Sequence, residues 1–208
     1  MLKESNLKHN KISLKGDRVI LSSITNSDFN LIKKWFKNPK VIEYIIPDKK
    51  NDNFLIKLLT KLFKPTIISK LFKYFINNGF GLIINFNDEA IGVVICWLID
   101  KESKTYRVPI TIGNTKYWRK GFGKDTIQTV TKFIFNDLKG NTIIAGDIAK
   151  ENLRSINMFL SCGFQELSTS QAGYFRNLSI PKKVKKRSVE NNREDNTISL
   201  ILRNDNAE

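Results

Sequence analysis

The stretch "YWRKGFGKDTIQTVTKFIFNDLKG", residues 117–140, sets two glycines one residue apart among an arginine and lysines, directly ahead of a patterned run. Within that run Ile127, Val130, Ile134 and Leu138 recur at helical spacing, and Gly140 stops it. The preceding "TYRVPITIG", residues 105–113, reads as a strand, with Pro109 demanding a bulge or an edge because proline cannot donate to a ladder. Strand, basic Gly-x-Gly loop and helix together make an anion site. The first N–H groups of a helix lack intrahelical partners, its dipole is positive there, and glycines let a phosphate approach the backbone. The same pattern also occurs as a simple turn. It is not a Walker A loop, because the four-residue gap and the following Lys-Ser/Thr are missing. A Rossmann fingerprint is excluded as well, since its third glycine would fall on Thr126.

Downstream, "NTIIAGDIA" (residues 141–149) reads as a strand, and Asn152 caps a helix bearing Ile156, Phe159 and Leu160 that Gly163 closes. "FQELST" and "TISLILR" supply two last strands. Upstream, "DRVILSSIT" (residues 17–25) is a first strand, followed by Ser27 as N-cap and by Phe29, Ile32 and Phe36 on one helix face until Asn38-Pro39 ends it. Residues 54–76 are strongly helical and split at Pro65. Lys57, Lys61 and Lys64 line the far side of the first piece, which reads as a core-packing helix with a lysine-rich exterior in preference to a membrane-surface one. The segment "GFGLIINFNDEAIGVVICWLID" (residues 79–100) is two β-rich runs around a turn at Asn87-Asp88-Glu89. Residues 176–195 are polar and basic and read as a mobile loop. The order is β, α, α, a meander of three strands, α, β, α, β and β. That is a mixed α+β fold of about seven strands and four to five helices.

The chain of 208 residues is 41% hydrophobic and 26% charged, which suits one globular domain over 17–208 after an N-terminal tail of 1–16. A formal net charge of +15 attracts polyanions, although a lysine-rich solvated surface accounts for it too. Cys96 and Cys162 form no CxxC pair and sit beside no metal-ligand cluster, so no metal is expected and a reducing cytoplasm fits. Residues 1–16 hold no signal-like apolar core, and no apolar run reaches the roughly 20 residues that span a bilayer. The single histidine, His9, lies in the polar tail.

The long run "IGNTKYWRKGFGKDTIQTVTKFIFNDLKGNTIIAGDIAKENLRSINMFLSCGF" resembles the coenzyme-binding core of the GCN5-related N-acetyltransferase (GNAT) superfamily, in particular its RimJ/RimL-type branch. Trp118 stands at the first place of the family's Q/R-x-x-G-x-G/A loop, where this branch often carries tryptophan, and Gly121 and Gly123 fill the two small positions. Asn152, Ser155, Gly163 and Phe164 match the N-x-x-S helix and its closing G-F. "LIKKWFKNPKVIEYI" resembles the branch's first helix and following turn.

The resemblance implies a central, mostly antiparallel sheet splayed at a site for acetyl-CoA. Backbone groups from Arg119 through Lys124, including Lys120 and Phe122, would hold the diphosphate, with the cationic side chains adding charge. The strand ending at Ile112 and Gly113 would diverge from the "NTIIAGDI" strand, and the pantetheine arm would fill the gap as a surrogate strand. A primary amine would attack the thioester while a strand N–H stabilises the oxyanion. Asn152 would orient cofactor or substrate as well as capping its helix. The family's frequent tyrosine acid is replaced here by Phe159, which leaves Ser155 or a water to protonate the thiolate. Asp147 and Glu102 are the carboxylates available as base, and each also reads as a structural or surface group. Cys162 has no histidine to activate it.

The acceptor is expected to be a protein N-terminus, an amino sugar or another small metabolite amine, since a +15 chain repels a polycation. A second reading takes "PKKVKKR", residues 181–187, as a ribosome or RNA contact on a binding module that keeps this fold. Membrane contact is the least expected, and monomer and homodimer both remain open.

Overall fold

In a computed structural model of the chain, residues 11–44, 79–179 and 196–205 are described. The sheet is organised around one hairpin. Strands β3 (Gly79–Phe86) and β4 (Glu89–Asp100) pair antiparallel from Gly79↔Trp97 to Phe86↔Glu89. Their connection is only Asn87 and Asp88, both left-handed at φ 47 and 60°, the two-residue turn whose twist matches the flanking strands.

Strand β2 (Ile20–Ser23) adds to β3, and β1 (Ser13–Lys15) adds to β2. Residues 13–15, read from sequence as part of a tail, are therefore an edge strand. The run 105–113 divides at Val108-Pro109 into β5 (Thr105–Arg107) and β6 (Ile110–Ile112). Both pair with β4, but only β5 continues the sheet, lying parallel to β7 (Thr142–Ala149). Strand β9 (Thr197–Arg203) then sits between β7 and the two-residue β8 (Gln165–Glu166). The nine strands among the described residues exceed the expected seven for two reasons: proline breaks one run in two, and the edge strand lacks an apolar signature. All pairings are antiparallel except β5 with β7.

Five α-helices flank the sheet among the described residues. Helix α1 (Asp28–Trp35) follows the expected apolar stripe but not the expected cap. The Ser27 side chain accepts no capping bond; instead the Asp28 carboxylate accepts the Thr25 N–H and Oγ1–H, each at 2.7 Å. Pro39 both ends that run and opens α2 (Pro39–Ile42) as its first residue, where Asn38 Oδ1 accepts the Lys40 N–H at 3.1 Å. Helices α3 (Phe122–Asn136) and α4 (Leu153–Leu160) follow the sequence periodicity. Helix α5 (Thr169–Ser179) was not expected, and it takes in the first four residues of the segment read as a loop. The helical reading of 54–76 and the basic run 181–187 fall outside the described residues.

Two apolar layers fix the arrangement. On one sheet face α3 and α4 bury Ile127, Val130, Ile134 and Phe159 against Leu82, Val94, Ile143 and Leu200. On the other, α1 packs Ile32 and Trp35 on Ile83 and Val93, while α5 places Ala172 by Ile144 and Ile201. Each fully buried Ile or Leu contributes about 1.5–3 kcal/mol relative to exposure. Burial on both faces explains why β3 and β4 read as continuous apolar runs.

Candidate active site

The sheet opens where β5 gives way to β6. Val108 N–H still reaches the Ile144 carbonyl at 3.1 Å, the last main-chain bond between the two halves among the described residues. Beyond it β6 pairs only with β4 and the end of β7 only with β9. Antiparallel alternation says which β6 groups face the gap. The Pro109 carbonyl accepts from Ile95 at 3.1 Å and the register continues through Thr111↔Val93, so Pro109 and Thr111 turn toward β4, until the Asn114 N–H, one residue past that alternation, reaches Ile91 at 3.0 Å. Ile110 and Ile112 therefore present their main-chain groups to the gap. Gly113, expected to contact the coenzyme, has a packing duty: a Cβ there would lie 2.2 Å from the Trp35 indole, so only glycine lets that ring close over the strand end.

The loop after β6 passes through a short 3-10 turn (Thr115–Tyr117) and enters α3 at Gly121. Gly121 is the N-cap at φ 84°, Arg119 is also left-handed at φ 59°, and no side chain caps the helix. The first intrahelical bond is Asp125 N–H to Gly121 O, 3.1 Å. The N–H groups of Phe122, Gly123 and Lys124 thus have no helical acceptor, and exposed Arg119, Lys120 and Lys124 surround them. A diphosphate would find there donors, a helix dipole and positive charge. A Cβ on Gly123 would meet nothing closer than Met158 Cγ at 3.6 Å, an ordinary contact, so sterics alone do not require glycine there.

Behind this cradle stands a buried carboxylate that the sequence reading missed. Asp125, 8% exposed, accepts the N–H of Asp17 on Oδ1 at 2.9 Å and those of Arg18 and Val19 on Oδ2 at 2.8 and 2.9 Å. It ties the turn between β1 and β2 to the first turn of α3. An acid in a helix's first turn usually reads as a partner for the dipole, which is why this one passed unnoticed.

In front, Trp118 spans the mouth of the gap. Its Nε1–H donates to the Ile112 carbonyl at 2.7 Å, and the Arg154 guanidinium lies 4.2 Å over its ring, with Tyr44 at 5.8 Å on the same cation. Arg154 belongs to the first turn of α4, so β6 and α4 are braced across the opening. Asn152 caps α4, its Oδ1 accepting the Ser155 N–H at 3.2 Å. Asn152 and Ser155 thus sit together where α4 begins, immediately after the diverging end of β7.

Asp147 occupies a bulge in β7, between the register positions Ala145 and Ile148, with φ 56°. Arg107 Nη2 donates to its Oδ2 at 2.7 Å, and the same guanidinium packs 3.0 Å from where a Gly146 Cβ would stand. The carboxylate is therefore positioned beside the opening and already paired with a cation. Glu102 lies in the turn leading into β5, at the end where β5 and β7 remain paired, away from the splay. Phe159 is 2% exposed and stacks edge-on against Phe164 at 5.1 Å, a core ring standing where an acid was absent. Burial pushes the Cys162 thiol above its ordinary range, which disfavours a thiolate nucleophile.

A mostly antiparallel sheet, splayed beside a glycine-framed and uncapped helix start, defines the coenzyme-dependent acyltransferase class. The chain belongs to the GNAT acetyltransferase family: residues 18–165 match the Acetyltransferase (GNAT) domain. Its fold is shared by a GNAT-family acetyltransferase from Bacillus anthracis, at 15% identity and TM-score 0.61, with 92% of this chain and 98% of that one covered. It is also similar to spermidine N-acetyltransferase from Vibrio cholerae in complex with CoA and spermine, at 16% identity and TM-score 0.63, covering 89% and 95%. An aminoglycoside acetyltransferase in complex with coenzyme A and kanamycin matches at 15% identity and TM-score 0.58, covering 89% and 94%. Among the described residues no helix is long and apolar enough to cross a membrane.

Proposed function

We propose that this chain is an acetyl-CoA-dependent N-acetyltransferase acting on a primary amine, of the RimJ/RimL type. The observation that carries the reading is the unpartnered start of α3, framed by left-handed Arg119 and Gly121, beside the place where β6 leaves β7 and the sheet opens. Main-chain N–H groups of Phe122, Gly123 and Lys124 would hold the coenzyme's diphosphate. The main chain of Ile110 and Ile112 would face its pantetheine arm, with the Ile112 carbonyl already engaged by Trp118. When bound, the coenzyme supplies an acyl thioester open to direct attack by an unprotonated amine.

The chain's own groups then set the acceptor side. Arg107 and Asp147 sit beside the opening, the carboxylate held by the guanidinium at 2.7 Å, and Asp147 is the carboxylate there that could take a proton from an incoming ammonium. Asn152 holds the start of α4, and Ser155 is the hydroxyl available near it for the departing thiolate. The branch assignment rests on Trp118 in its loop position and on α1 and α2, which form where that branch's first helix and turn were read.

The acceptor class we favour is a protein N-terminus, an amino sugar or a small metabolite amine. A chain carrying +15 opposes the approach of a polycation over long range, in contrast to the polyamine and aminoglycoside found with the two similar structures. The experiment is an amine panel with acetyl-CoA, followed by release of free thiol and by mass. Turnover on a mono-amine or N-terminal peptide, exceeding that on spermidine, supports the proposal. Turnover confined to polyamines would remove the substrate assignment, and none on any amine would remove the activity.

A further inference from the structure

We propose that Arg18 is a positioning residue for the coenzyme loop, aiming the Gly121 amide into the anion cradle by gripping the carbonyl on the other side of the same peptide. This rests on the reading of that cradle as the diphosphate site. Arg18 Nη1 donates to the Lys120 carbonyl at 2.6 Å. A trans peptide is planar, so its C=O and its N–H point in opposite directions. Holding the Lys120 oxygen toward Arg18 therefore turns the Gly121 N–H away from Arg18, toward the side on which the first N–H groups of α3 are exposed.

The peptide between Lys120 and Gly121 needs such a hold. Glycine tolerates both signs of φ, so this unit rotates at little steric cost. A rotated unit would bring a carbonyl oxygen to the place where a phosphate must sit. The Arg18 guanidinium is itself fixed: it lies 4.1 Å over the buried Phe122 ring and 5.5 Å from that of Phe86. Its backbone is fixed too, because the Arg18 N–H is one of the three that Asp125 accepts. Main chain and side chain of one residue thus grip two points of the same loop and helix, closing a ring through Arg18, Lys120 and Asp125. An exposed arginine in a turn gives no sign of this in the sequence.

The test titrates wild type, Arg18→Met and Arg18→Lys with two ligands. CoA is measured by calorimetry, and S-acetylpantetheine, which lacks the diphosphate, by amide shifts in NMR. Arg18→Met keeps an apolar stem over Phe122 but loses the donor. We expect its Kd for CoA to rise about five- to tenfold, the scale of one lost charged hydrogen bond at a partly exposed site, with the S-acetylpantetheine Kd unchanged. Arg18→Lys, which restores a donor, should recover part of the loss. A CoA affinity within twofold of wild type in Arg18→Met would overturn the inference while leaving the coenzyme site standing. An equal loss for both ligands would also overturn it, by showing general loosening. Failure of wild type to bind CoA would instead sink the coenzyme reading, and this inference with it. Should Arg18→Met not fold, Arg18→Leu carries the same pair of titrations with the same outcomes.

Discussion

Replacing Asp125 by Asn is the sharpest probe of how the coenzyme loop is built. The carboxylate accepts three main-chain N–H groups at 2.8–2.9 Å while 8% exposed. An amide of the same shape keeps one oxygen and turns an NH2 toward the rest. Oriented best, it retains Arg18 and Val19 and leaves the Asp17 N–H facing a donor; oriented otherwise, it abandons two. One unsatisfied donor costs about 1–3 kcal/mol, and the two remaining bonds lose their charge assistance at roughly 1 kcal/mol together. The sum is about 3 kcal/mol. For a chain of this size that corresponds to a fall in Tm of about 10 °C. Asp125→Ala, which strands all three donors, should cost more than the Asn variant. Thermal unfolding by circular dichroism, with urea titration at 25 °C, reads both. A Tm for Asp125→Asn within 2 °C of wild type would refute the reasoning, since the three bonds would then contribute almost nothing.

Other perturbations follow from the same geometry. Gly113→Ala places a methyl 2.2 Å from the Trp35 ring, so the indole must move; we expect a loss of about 1–3 kcal/mol and a changed near-ultraviolet dichroism. Trp118→Phe keeps a ring beneath Arg154 but strands the Ile112 carbonyl, which should lower the urea midpoint by the equivalent of about 1 kcal/mol. Trp118→Leu should lose a further 0.5–1 kcal/mol, roughly, with the cation–π contact. Burial pushes the Cys96 thiol well above its ordinary value, so the folded chain keeps it protonated where the unfolded chain ionises it. Its contribution to stability is complete below the ordinary thiol range and declines as pH rises from there toward the folded value. Alkylation of Cys96 should accordingly require unfolding, and stability at pH 10 should fall below that at pH 7.

What could be read from the sequence divides by the range of the interaction. The helix after Gly121, the hairpin around Asn87 and Asp88, the Asn152 cap and the break at Pro109 are set by neighbours within a few positions, and each stands where its local signal put it. Pro109 marked where that run breaks into two strands, whereas the splay itself was legible only through the family resemblance. Pairings between residues distant in the chain were silent. Asp125 and Arg18 meet over |i−j| of 107, and Arg107 reaches Asp147 over 40. Gly113 read as a coenzyme contact because the resemblance put it at the end of the diverging strand; the close approach of Trp35 from α1 gives the glycine a packing reason that no local signal carries. The edge strand at Ser13–Lys15 has one apolar residue in three and only one sheet neighbour, too little pattern to separate from a tail.

The central claim is that the main-chain donors at the start of α3 receive the diphosphate of the coenzyme. Titration of uniformly 15N-labelled protein with CoA, followed amide by amide, tests it most directly. The account predicts the largest shifts at Gly121, Phe122, Gly123 and Lys124, with a second set at Ile110 and Ile112 along the open strand. Saturable shifts centred on other elements, with those amides unmoved, would contradict it.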